Sequence, residues 1–210
     1  MNQVSSRAAL LRSCAVASAV AAACLGALAL LPRPPFALDH VRILSGTATL
    51  TAEQLEQYRH YLRLNLSVDG VFLLGQVMTW IGYAVVTRSR VLAASIAIIG
   101  IGGAGLDLLE NEIRWSVAAR LADGAATPAI GTLWEVVVGL SFWASYVAAL
   151  LAAVAIVPFG RAARLASAVG VFGIAAAAAR YEFDFLPSFL WLIAWHVVSA
   201  QFLAAESKRG

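Results

Sequence analysis

Charge is what this chain has least of, and lysine least of all. Its 15 Lys+Arg residues include one lysine, Lys208, and together with 12 Asp+Glu they make up only 13% of 210 residues. An ordinary soluble domain carries about 25% charged residues. With no lysine inside any apolar stretch, a Schiff base to a retinal-like chromophore is excluded. Cysteine is also scarce. Cys14 and Cys24 lie ten residues apart on one apolar stretch, roughly 15 Å along a helix, too far to bridge each other. No metal-binding Cys spacing exists. His40, His60 and His196 are widely separated, so no single-helix haem or His-metal pairing is available. The sequence holds no Gly-x-Ser-x-Gly elbow, phosphate-binding loop or His-Glu-x-x-His. The net charge of +3 comes from arginines at the ends of apolar runs, which speaks to topology and not to nucleic acid.

What is present is apolar. Hydrophobic residues make up 61% of the chain and mean hydropathy is +0.80, where a soluble domain is about 45–50% apolar. A chain of this length and composition reads as a single integral-membrane domain, 1–210, with no separate soluble part. Six stretches approach the roughly 20 residues that a helix needs to cross a bilayer: 13–31, 66–87, 91–111, 129–157, 164–180 and 186–204. No alternating pattern competes, so the expectation is an all-α, polytopic bundle of six transmembrane helices. Breaks fall at Pro32-Arg33-Pro34-Pro35, Thr87-Arg88-Ser89-Arg90, Asp123-Gly124, Pro158-Phe159-Gly160-Arg161 and Pro187. Each is a reasonable turn.

Arginine density gives the orientation. Arg7 and Arg12, Arg88 and Arg90, Arg161 and Arg164, and Lys208 with Arg209 crowd very short connections; the other arginines are spread through long ones. Short basic connections stay inside, so both termini are expected in the cytoplasm of a bacterial-type inner (plasma) membrane. Ser13–Cys24 behind two arginines resembles a secretory signal with Ala21-Ala22-Ala23 before the cut. The apolar run continues through Leu31, however, which suits an uncleaved anchor. Segments 36–65 and 112–127 read as an extramembrane cap on the opposite side. Thr51-Ala52-Glu53-Gln54 has capping-box form and opens a helix with Leu55, Tyr58, Leu62 and Leu66 on one stripe. The third stretch likewise runs on through Ile113, Val117 and Leu121 to a stop at Gly124.

Ionisable groups at membrane depth are costly and mark a site by default. Asp69, Phe72, Gln76, Thr79 and Tyr83 recur at helical spacing on the second stretch. Gly100, Gly103, Asp107, Glu110, Asn111 and Arg114 share a face of the third, where the glycines allow close helix approach. Glu135, Gly139, Phe142 and Tyr146 align on the fourth, and Phe189, Leu192, His196 and Ser199 on the sixth. Asp107, Glu135, His196 and Asp69 are therefore the candidate acid–base residues, and Glu110, Asn111, Gln76, Tyr83, Trp143 and Trp195 the candidate substrate-binding ones. The competing account makes Glu110 and Arg114 an i,i+4 structural ion pair, His196 an interhelical hydrogen bond, and the tryptophans interfacial anchors or packing. Asp69, Asp107 and Glu110 form a weak metal signal, so no metal is expected and no cofactor is indicated.

Three functions fit this pattern. One is an enzyme acting on a lipid-soluble, isoprenoid-like molecule by acid–base chemistry. The second is a small-molecule or proton-coupled carrier, with Trp80…Tyr83 and Trp143…Tyr146 as a faint internal repeat; a chain this short would carry only as a homodimer. The third is an accessory subunit whose polar groups merely join helices. The expected partners are the bilayer and a hydrophobic small molecule.

Overall fold

The computed structural model describes the backbone of residues 3–32, 43, 50–123, 131–183 and 186–209, and their side chains except at 3–4, 131, 174–183 and 186–188. All regular structure among these is helical: α1 (Gln3–Leu30), α2 (Ala52–Val86), α3 (Arg90–Ala122), α4 (Gly131–Ile156), α5 (Arg161–Phe183) and α6 (Leu186–Ser207), with a one-turn 3-10 helix at Val157–Phe159. Five helices among the described residues, all but α5, are long and apolar enough to cross a membrane. The stop at Gly124 lies outside the described residues.

Local chemistry sets the helix ends. Thr51 accepts from the Gln54 backbone N–H at 3.2 Å, and the Gln54 side chain accepts from the Thr51 N–H at 2.9 Å. The capping box thus satisfies two donors that the first turn of α2 leaves free. From that cap α2 runs 35 residues without interruption and α3 runs 33, each about 50 Å at 1.5 Å per residue. Ser89 caps α3 through the Leu92 N–H. Between α4 and α5, Gly160 has φ +108° and ψ −160°, a conformation essentially restricted to glycine.

Each helix packs against its neighbours in sequence, and α6 returns to pack along α1. The six helices therefore close into a ring. Close contact is made through small residues. A Cβ on Gly103 would stand 2.8 Å from the Ala144 side chain of α4, and one on Gly100 would collide with the Trp80 indole of α2. The outward faces are apolar on every helix: Val16, Leu74, Ile98, Leu140, Phe172 and Leu190 are all exposed. An apolar belt of this kind suits lipid and not water.

Two apolar cores fill the ring. The larger includes Leu11, Leu25, Phe72, Trp80, Tyr83, Trp195 and Phe202. The smaller joins the first half of α2 to the second half of α3 and the start of α4, through Tyr58, Leu62, Ile113, Val117, Trp134 and Val137. Cys14, in the first half of α1, lies against Gly82 with Leu203 of α6. Arg209 donates to the Phe159 carbonyl at 2.8 Å, and Arg88 covers the Phe159 ring at 5.2 Å. The start of α1, the end of α6 and the short Arg88 and Arg161 turns therefore gather at one end of the bundle.

Candidate functional site

Residues from both cores border a cavity of about 530 Å³ between α1, α2, α3, α4 and α6. This lies within the ~300–1,000 Å³ of small-molecule sites. Its polar wall comes from the middle of the two long helices. On α2, Asn65, Asp69 and Gln76 follow one helical stripe, with Phe72 between them; on α3, Asp107, Glu110, Asn111 and Arg114 do the same. These stripes face each other because Gly100 and Gly103, two turns and one turn before Asp107, let α3 close onto its neighbours. The opposing wall is mostly apolar, with Leu25 and Leu28 of α1, Val138 and Phe142 of α4, and Phe189 and Leu192 of α6, while α4 adds Glu135, Ser141 and Ser145.

The polar groups are tied to one another. The Asn111 side-chain amide donates to the Asp69 carboxylate across the α2–α3 contact. Glu110 pairs with Arg114 at 3.9 Å, both side chains largely buried, and Tyr58 hydrogen-bonds the same arginine. Asp107 and Glu110 stand one turn apart on α3, and both line the cavity. Gln76 is only 2% exposed. Its amide N–H donates to Ser145 of α4 at 3.0 Å, while its Oε1 has no partner. Among the described residues no three His, Cys, Asp or Glu side chains are grouped so as to hold a metal ion.

Six of the residues singled out from sequence line this cavity: Asp69, Gln76, Asp107, Glu110, Asn111 and Glu135. Glu135 stands at the start of α4 and is exposed. The other four lie elsewhere. His196 is fully buried, with Nδ1 3.3 Å from the Thr79 hydroxyl, which in turn sits 2.6 Å from that of Ser18. The Phe72 ring meets His196 edge-on at 5.6 Å and stands between it and the cavity it lines. Tyr83 is buried, its hydroxyl 2.9 Å from that of Ser199, and it stacks on Trp195 at 5.1 Å and on Phe202 at 5.7 Å. Trp195 is also stacked on Trp80 and Trp191, so these indoles are core, not interfacial anchors. Trp143 turns outward and is 45% exposed. The suggested repeat therefore differs where it matters, since Trp80 is buried and Trp143 is not.

Several lining residues escaped the sequence reading. Tyr61 and Asn65 continue the Asp69–Gln76 stripe backwards at four-residue steps, so that signal was present. Ser141, Ser145 and Trp134 on α4 become lining only because α4 packs against α3. Compared with known protein families, with curated proteins and with solved structures, the chain matches none. Fold and composition define the class: an apolar, all-helical bundle of membrane type, with a polar-walled cavity set into it.

Proposed function

We propose that this chain is a six-span inner-membrane protein with cytoplasmic termini, and that its cavity binds a lipid-soluble, isoprenoid-like molecule and acts on it by acid–base chemistry. The observation that carries this reading is the Asp107–Glu110 pair. Two carboxyls one turn apart on α3, on the wall of a cavity of ligand size, can hold a proton between them and deliver or withdraw it. Asp69, held by Asn111, and Arg114, held by Glu110, orient the polar end. Leu25, Leu28, Phe189 and Leu192 accept the apolar part.

Support for the topology comes from the gathering of Arg88, Phe159 and Arg209 at one end, where short basic connections belong inside. In this orientation the first half of α2 and the last half of α3 project from the outer face as a helical cap. The cavity then lies toward the outer leaflet.

The test is lipid analysis of a strain lacking the gene, complemented with the parent or with Asp107→Asn. Catalysis predicts that a lipid-soluble precursor accumulates in the deletion strain and that the parent, but not Asp107→Asn, clears it. The substitution keeps side-chain volume and removes the ionisable group. An unchanged lipid profile together with lost movement of a small molecule across the membrane would overturn catalysis in favour of carriage.

A further inference from the structure

We infer that the molecule held in this cavity carries a protonated amine at its polar end. This rests on the reading of the cavity as a ligand site and specifies the ligand's head. Four carboxyls, those of Asp69, Asp107, Glu110 and Glu135, line the cavity, against one cationic side chain, Arg114. Glu135 stands at the exposed start of α4, and the other three carboxyls still outnumber the single guanidinium. Charge at membrane depth is tolerated when a partner balances it. The missing charge is positive.

A second, independent observation concerns hydrogen bonding. Gln76 is 2% exposed and its Oε1 accepts from nothing in the protein, although leaving a buried acceptor without a donor is unfavourable. Its own amide N–H is already used on Ser145 of α4. An ammonium group supplies both what Gln76 lacks and what the carboxylates lack, namely N–H donors on a positive charge. The Arg114 Nε likewise has no hydrogen-bond partner, so an acceptor on the ligand has a place beside the amine. Phe72, Phe142, Phe189 and Leu192 then enclose the hydrocarbon part.

Four probes of equal chain length separate charge, hydrogen bonding and simple greasiness: decylamine, decyltrimethylammonium, decanol and decanoate. Each is titrated against the full-length protein in zwitterionic nanodiscs, with calorimetry as the readout and empty nanodiscs as the blank. Decylamine is expected to bind saturably and on the order of tenfold more tightly than decanol, with decanoate weakest. Asp69→Asn and Asp107→Asn should each erase the preference of amine over alcohol while decanol still binds. Gln76→Leu should bring decylamine down to decyltrimethylammonium, which has no N–H to offer. It also serves as the second probe should an aspartate variant fail to fold. Leu108→Phe, on the exposed outer face of α3, should bind like the parent.

If decanol matches decylamine in the parent, the amine inference is overturned while the cavity stands as an amphiphile site. Equal binding of decyltrimethylammonium overturns the hydrogen-bonding half. If none of the four binds saturably, the cavity is not a ligand site, and the proposed function falls with it.

Discussion

Thr79 shows how much a single buried hydroxyl can hold. It donates to the Gly75 carbonyl at 2.8 Å and touches both Ser18 of α1 and His196 of α6, joining three helices at one point. Thr79→Val keeps the shape and strands Ser18 and His196, so a loss of about 1–3 kcal/mol is expected, read as a lower melting midpoint in detergent. Ligand binding per folded molecule should be unchanged, because Thr79 does not line the cavity. A selective loss of binding at unchanged stability would instead draw His196 into the site. Gly103 provides the complementary case. Leucine there meets Ala144 of α4, and overpacking of this kind costs about 1–3 kcal/mol. Leu108→Phe, one turn on but outward and 54% exposed, should melt with the parent. The opposite ranking of the two variants would show that the buried face of α3 has been misassigned.

Among the elements, α2 and α3 carry the site because they are the longest. Each spends part of its length in the apolar ring and part in the smaller core of Tyr58, Ile113 and Trp134, and the carboxylates sit at the junction. The start of α2 is held by its capping box, whose loss in Thr51→Ala should cost about 0.5–2 kcal/mol. That loss is expected to show as faster amide exchange over the first turns of α2, with Asp69 and the cavity unaffected. At the turn into α5, Gly160→Ala forces a side chain into a conformation that costs about 1–3 kcal/mol. Because Arg209 donates to the neighbouring Phe159 carbonyl, the strain should appear as increased protease sensitivity at the C-terminal end of α6.

For the whole molecule, ring closure is the decisive feature. The return of α6 onto α1 puts the start of α1 and the end of α6 at the Arg88 and Arg161 end, so reporters fused at residues 1 and 210 are expected to agree with each other. Both are expected to report cytoplasm, and one inserted near Thr47 the opposite side. Reversed signals at all three positions would keep the bundle and turn the cavity toward the cytoplasmic leaflet. Closure also makes α1 a wall of the site through Leu25 and Leu28. Removing α1 should therefore abolish ligand binding and not merely lower expression.

The amino-acid sequence by itself determined the helical class, the breaks at 87–90 and 158–161, the capping box at Thr51 and the polar stripes on α2 and α3. All of these follow from hydropathy and from the 3.6-residue period, which act within about twenty residues of chain. It also identified Asp69, Asp107, Glu110 and Asn111 as costly groups in apolar surroundings. What it did not contain was which stripe faces which. His196, Tyr83 and Trp195 share helical faces with cavity residues, yet ring closure presses them into an aromatic and hydroxyl core. Trp143, on the same helix as Ser145, turns outward. A helical period tells that residues lie on one side of a cylinder, and only the packing of that cylinder against two neighbours decides whether the side becomes core, cavity or outer surface. For the same reason Ser141, Ser145 and Trp134 carried no signal in the sequence: they line the site because α4 lies along α3, a contact made across more than thirty residues of chain.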